Sequence, residues 1–173
     1  NLEMVLAVVG TMKAGKSTTI NAIVGREILP NRNRPMSALP TRIRHVKGRT
    51  SPVLRFDKHE PIEELIAKLK KIKSSNFHNK IKEDRNLEKT FTSLKEKKTL
   101  EKEHQGEKEI FDFLAYLNDL VRLASALDVP FPFEEYTSIE DFPLIEVEFF
   151  SLRDMDHSGI GRFTILDTPG FNE

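Results

Sequence analysis

The sequence predicts an α/β domain, and three stretches carry that prediction. Val5-Leu6-Ala7-Val8-Val9 is a short unbroken apolar run, the pattern of a strand buried on both faces of a parallel sheet. A glycine-rich turn from Gly10 to Ser17 follows at once, and Thr18 to Val24 then read as a helix. Far along the chain a further strand pattern, Phe163-Thr164-Ile165-Leu166, ends in Asp167-Thr168-Pro169-Gly170.

The turn is the most informative element. Gly10-Thr11-Met12-Lys13-Ala14-Gly15-Lys16-Ser17 matches G-x-x-x-x-G-K-[ST] in full, with the strand before it and the helix after it that the motif requires. Such a turn aims backbone N–H groups and the helix dipole at one point, where phosphate oxygens sit. Lys16 is placed to reach the β- and γ-phosphates, and the Ser17 hydroxyl to ligate Mg²⁺. The helix points Ile20 and Ile23 inward, and Gly25 is its predicted stop.

Glu27 to Pro40 carry Pro30, Pro35 and Pro40, so they form an irregular loop. Thr41 to Lys47 look extended, Gly48 to Ser51 make a turn, and Pro52 to Phe56 form a further strand, together a plausible hairpin. Pro61 starts a helix with Ile62, Leu65, Ile66, Leu69 and Ile72 on one stripe. From Lys73 to Lys108 lysine and glutamate interleave while apolar residues thin to Phe77, Ile81, Leu87, Phe91, Leu94 and Leu100, which predicts a solvated helix or a partly disordered insert. A longer amphipathic helix follows, with Ile110, Phe113, Leu114, Leu117, Val121, Ala124 and Leu127 inward and Pro130 and Pro132 ending it. Pro143 to Phe150 alternate Ile145, Val147 and Phe149 against Glu146 and Glu148, one face buried and one wet.

Composition excludes several classes. The chain has 173 residues, enough for one domain with a core or for part of a larger one. Lysine plus arginine and aspartate plus glutamate both number 27, so no charge excess points to nucleic acid, and no direct DNA binding is expected. Cysteine is absent, which removes disulfides and thiolate metal sites and favours a cytoplasmic setting. No apolar stretch is long enough to span a bilayer and no signal peptide is visible. The buried strand begins almost at Asn1, which reads as a shortened start rather than a natural one. The five histidines are scattered without ligand spacing. Asp154 to Gly159 open like a calcium loop, but Ile165 stands where a bidentate glutamate is needed.

Asp-x-x-Gly at a strand end is weak alone and strong after a phosphate-binding loop and behind an antiparallel strand pair, here Pro143 to Phe150 with Phe163 to Leu166. There the aspartate, Asp167, holds Mg²⁺, usually through water, and the Gly170 N–H can bond the γ-phosphate. A threonine is expected between the two motifs, giving its hydroxyl to Mg²⁺ and its carbonyl to the attacking water. Thr41, after the proline-rich loop and before a strand, is the candidate.

With these motifs the chain resembles the dynamin superfamily, particularly the bacterial dynamin-like proteins. The likeness is carried by Gly10 to Thr18, Leu39-Pro40-Thr41-Arg42 and Leu166-Asp167-Thr168-Pro169-Gly170, and by the extra strand and helix at Val53 to Ile72. Nearly the whole chain outside the charged insert is covered, and the enterobacterial clamp-binding dynamin-like proteins, linked to the replication clamp and chromosome partitioning, are the most similar. The resemblance implies a P-loop NTPase of dynamin GTPase type, three-layer α/β/α with a mixed sheet, of which residues 1–173 are the N-terminal portion, with a charged helical insertion at about 73–142.

It also implies a site. Lys16, Thr41 and Lys13 are the catalytic candidates. Gly10, Met12, Lys13, Ala14, Gly15, Lys16, Ser17, Thr18 and Gly170 would bind the nucleotide, and Ser17, Thr41 and Asp167 the metal. GTP or GDP is the implied ligand and Mg²⁺ the cofactor. Met12 and Lys13 stand where many dynamins carry a Gln-Ser pair that supports the attacking water and a charge-compensating cation. An ammonium at Lys13 could replace that cation, so the GTPase rate should depend less on potassium or sodium than in a Lys13→Ser variant; equal dependence in both would exclude this role. The guanine-reading N/TKxD motif is absent, and Phe171 stands where small GTPases position water with glutamine.

Self-association through the GTPase domain is the expected partnership, with a sliding clamp or nucleoid factor by resemblance and a membrane through domains not in this chain. Cytoplasmic, nucleoid-associated or peripheral membrane locations all fit. The function that follows is a self-assembling dynamin-like GTPase acting in chromosome partitioning through the replication clamp; the alternatives are a nucleotide-dependent switch, a membrane-remodelling dynamin and, less in keeping with the DTPG form, a P-loop ATPase.

Overall fold

The computed structural model describes residues 3–8, 15–29, 39–73, 75, 84–96, 99–154 and 161–168. Gly10, Met12, Lys13, Ala14 and Gly170 therefore lie outside the described residues, as do most of the proline-rich loop, Phe77, Ile81, residues 155–160 and Phe171.

Among the described residues six strands form one mixed sheet: β1 (Glu3–Val8), β2 (Thr41–His45), β3 (Val53–Arg55), β4 (Glu103–Gln105), β5 (Leu144–Val147) and β6 (Arg162–Asp167). Their spatial order is β1-β6-β2-β5-β3-β4. The α-helices among the described residues are α1 (Lys16–Val24), α2 (Glu60–Lys70), α3 (Arg85–Glu96) and α4 (Glu107–Ala126).

Register decides which side chains share a face. Ile165, Ile43, Ile145 and Leu54 stand opposite one another across four strands, and all four are fully buried. Helices close over this row: His104 of β4 stacks on Phe113 of α4 at 4.2 Å, and Ile20 and Val24 of α1 join the same core. The row on the other face, Val5, Thr164, Arg44, Glu146 and Val53, is mostly polar. There Arg44 bonds Glu3 at 3.0 Å and Thr164 bonds the same carboxylate oxygen at 2.9 Å, tying β1, β6 and β2 together. Those bonds and the Arg44 charge hold the Glu3 carboxyl below its usual range.

Among the described residues β1 pairs with β6 alone. Three expectations change. The hairpin of β2 with β3 does not form, because β5 lies between them, parallel to β2 and antiparallel to β3. β5 and β6 are not paired with each other either; β2 separates them. Finally, Glu148 is buried rather than wet, since it accepts the Gly48 N–H at 3.1 Å and pairs with Arg153 at 3.7 Å.

The charged stretch contributes structure. Leu87, Phe91 and Leu94 of α3 are buried in the common core, and β4 forms the far edge of the sheet. α4 stops before the prolines: Asp128 takes a left-handed φ of 56°, and the Val129 N–H returns to the Ala124 carbonyl at 2.8 Å, a Schellman closure. No helix among the described residues is long and apolar enough to cross a membrane.

Candidate nucleotide site

The site lies at the end of the sheet where β1 and β6 finish and β2 begins. Because β2 runs antiparallel to β6, its first residue meets the last of β6: Thr41 stands opposite Asp167, and Val8 is the parallel partner of Asp167 on the other side. Directly opposed residues place their Cβ atoms about 5 Å apart on one face. α1 starts over the same corner. Gly15 caps it in the left-handed region, φ 69°, a conformation cheap only for glycine, and that turn puts Lys16 at the first helical position.

From there the Lys16 ammonium reaches across to β6. It lies 3.1 Å from Asp167 Oδ1 and donates to the Thr168 carbonyl. Lys16, Thr41 and Asp167 are 8%, 5% and 6% exposed, so three polar side chains with little water access converge at one point. Thr168 is itself stitched to β1, its hydroxyl donating to the Val8 carbonyl at 3.0 Å. Ser17 and Thr18 follow Lys16 in the first turn of α1, half-buried and exposed respectively.

Burial pushes the Asp167 carboxyl above its ordinary value, and the neighbouring ammonium only partly opposes the shift. Although the ion pair is close, Oδ1 has no aligned hydrogen-bond donor among the described residues. A buried carboxylate oxygen left in that state, on a residue in register with Thr41, offers with the Thr41 hydroxyl the hard oxygen donors that Mg²⁺ takes. The residues present therefore fit the ion. Among the described residues no cluster of three His, Asp or Glu side chains offers a competing metal site.

α1 also fixes the backbone that follows it at Ile28 and Leu29. Asn21 accepts the N–H groups of Ile28 and Leu29 at 3.0 and 2.9 Å and donates to the Leu29 carbonyl at 3.2 Å. The helix ends at Gly25 with φ 81°, where the Asn21 carbonyl takes the N–H groups of Gly25 and Arg26. A Cβ on Gly25 would meet the Phe150 ring at 2.3 Å, so this glycine answers to packing as well as to φ. Sequence reasoning missed Asn21. Its partners are backbone groups, which leave no residue signature.

A helix opened by Gly15 at the end of a G-x-x-x-x-G-K-S sequence, its first lysine set against the aspartate that ends β6 and a threonine in register with that aspartate, defines the phosphate-binding corner of a P-loop nucleoside triphosphatase. The family model described as the dynamin family matches residues 6–173, and the chain belongs to that family, as part of its GTPase domain. It is 52% identical over 176 residues to the Clamp-binding protein CrfC of Escherichia coli strain K12, and equally to the protein of that name from Escherichia coli without a stated strain. Each alignment covers 99% of this chain and 24% of the relative, so the chain spans about a quarter of the length of the curated relatives it matches.

Proposed function

We propose that this chain binds GTP with Mg²⁺ and hydrolyses it as part of a self-associating dynamin-like protein. The observation that supports the reading most is the convergence of Lys16, Thr41 and Asp167 on one buried corner. Catalysis is phosphoryl transfer to water, achieved by positioning and charge neutralisation. Lys16 leaves Asp167 and moves its ammonium onto the phosphate oxygens. That exchange frees Asp167 Oδ1, and with Ser17 and Thr41 it would hold the cation. Mg²⁺, when bound, neutralises charge between the β- and γ-phosphates. The Thr41 carbonyl orients the attacking water, and the low water access of the corner strengthens each of these interactions.

Family membership, together with Phe171 in place of a water-positioning glutamine, supports self-association: an isolated monomer should be slow. The GTP turnover per molecule of the full-length protein should therefore rise with protein concentration. A rate per molecule flat across that range would contradict a catalytic dimer.

A second reading has its own support. The relatives sharing 52% identity are named clamp-binding, which favours a nucleotide-dependent switch whose bound state engages a replication clamp, with a role in chromosome partitioning. Clamp binding that differs between GTP- and GDP-loaded protein is its expected sign.

A further inference from the structure

Arg42 follows Thr41 directly, and its own chemistry is not used by the nucleotide corner. It pairs in register with Leu166 of β6 and Leu144 of β5, so its side chain leaves the sheet on the face opposite Thr41 and Asp167. Nη2 donates to two backbone carbonyls, Glu140 at 3.0 Å and Phe142 at 2.9 Å. The Arg42 backbone N–H donates to the Pro143 carbonyl at 2.8 Å. Nε is buried without a hydrogen-bond partner among the described residues. Arg44, two residues on, instead meets the Glu3 carboxylate. A guanidinium that is half-buried and grips carbonyls alone is unfavourable unless holding that backbone matters.

The backbone it holds is a rigid turn. Residues 139–141 form one turn of 3-10 helix closed by a capping box between Ser138 and Asp141. Asp141 also accepts the N–H groups of Thr137 and Ser138 at 3.0 Å each and meets Lys58 at 3.4 Å. Against this platform stands the start of β2. Thr41 is the strand's first residue and has only β6 beside it, because the parallel pairing with β5 begins at Arg42. The end of a strand that receives a long loop would fray if nothing fastened it.

We infer that Arg42 is a positioning residue: by clamping the 138–143 turn it fixes the first residue of β2, and so holds the Thr41 hydroxyl and carbonyl where the metal and the attacking water meet them. The inference rests on the reading of Thr41 as the switch threonine of a GTPase. Fixing Thr41 matters only when the γ-phosphate is present, since switch threonines are recruited by it. The clamp therefore acts on turnover, not on diphosphate binding.

The test is steady-state GTP hydrolysis and GDP affinity of the full-length protein in five forms: wild type, Arg42→Met, Arg42→Lys, Thr41→Ala and the Thr41→Ala/Arg42→Met double variant. Methionine keeps the apolar stem and removes every donor. Expected are a kcat lowered by roughly ten- to a hundredfold in Arg42→Met, the scale of a small misplacement of a catalytic group, with GDP affinity within about twofold. Lysine, whose ammonium can donate to both carbonyls, should recover part of the rate. The double variant should be no slower than Thr41→Ala alone, because a residue acting only through Thr41 has nothing left to position. A wild-type kcat in Arg42→Met, a parallel loss of GDP affinity, or losses that multiply in the double variant would each overturn the inference. If Arg42→Met does not fold, Arg42→Lys decides by the same split between kcat and GDP affinity and by its own double with Thr41→Ala. A Thr41→Ala variant with the wild-type rate would overturn the reading of Thr41 itself and this inference with it.

Discussion

Alanine at position 41 is expected to slow GTP hydrolysis by about 10²–10³-fold while leaving GDP affinity within about twofold. The rate figure is the typical cost of deleting one preorganised group from a transition-state site. Thr41 is 5% exposed and stands in register with Asp167, so its hydroxyl lies on the face and at the level of the aspartate proposed to orient the metal. The diphosphate makes no demand on it, whereas the γ-phosphate does. Single-turnover hydrolysis alongside a labelled-GDP titration checks both halves. Hydrolysis at the wild-type rate would move the role to another threonine, Thr50 first.

Lys16→Ala should abolish measurable nucleotide binding. Each hydrogen bond that a charged group makes is worth about 1.5–3 kcal/mol, and the ammonium makes more than one to the phosphates. The same change has a second consequence. In the resting protein Lys16 is the cation 3.1 Å from a buried carboxylate, and removing one member of a buried pair typically costs about 3–5 kcal/mol. Asp167 is already raised by burial, and without Lys16 it rises further. A carboxyl whose folded pKa exceeds its unfolded value loses stability as the pH climbs from the unfolded value through the folded one. The melting-temperature deficit of Lys16→Ala should therefore be larger at pH 7 than at pH 5. Adding Asp167→Asn should restore melting without restoring binding, which separates the structural from the functional part. Retained affinity for a labelled guanine nucleotide in Lys16→Ala would remove the P-loop assignment.

The parts of the site readable from sequence were those made by neighbours in the chain. Gly10 to Ser17 is contiguous, and Gly25 stops α1 because a left-handed residue is a local requirement. The strand ending at Asp167 is likewise a local pattern. What joins them is not local. That Thr41 meets Asp167 depends on β2 inserting between β5 and β6, a pairing of strands more than a hundred residues apart. A nearby turn suggested a hairpin in its place. Asn21 and Arg42 escaped for a different reason: their partners are carbonyls and N–H groups that every residue carries. Glu148 shows the limit of alternation, since Gly48 and Arg153 satisfy a glutamate that its position in the pattern assigned to water.

The most direct measurement is a competition: Mg²⁺-dependent hydrolysis of GTP by the full-length wild-type protein, with excess ATP added and with Mg²⁺ withdrawn. Hydrolysis that needs Mg²⁺ and is left unchanged by a large excess of ATP is the result predicted for a dynamin-family GTPase built on Lys16, Thr41 and Asp167. Turnover suppressed by ATP, or unaffected by removing Mg²⁺, would contradict it.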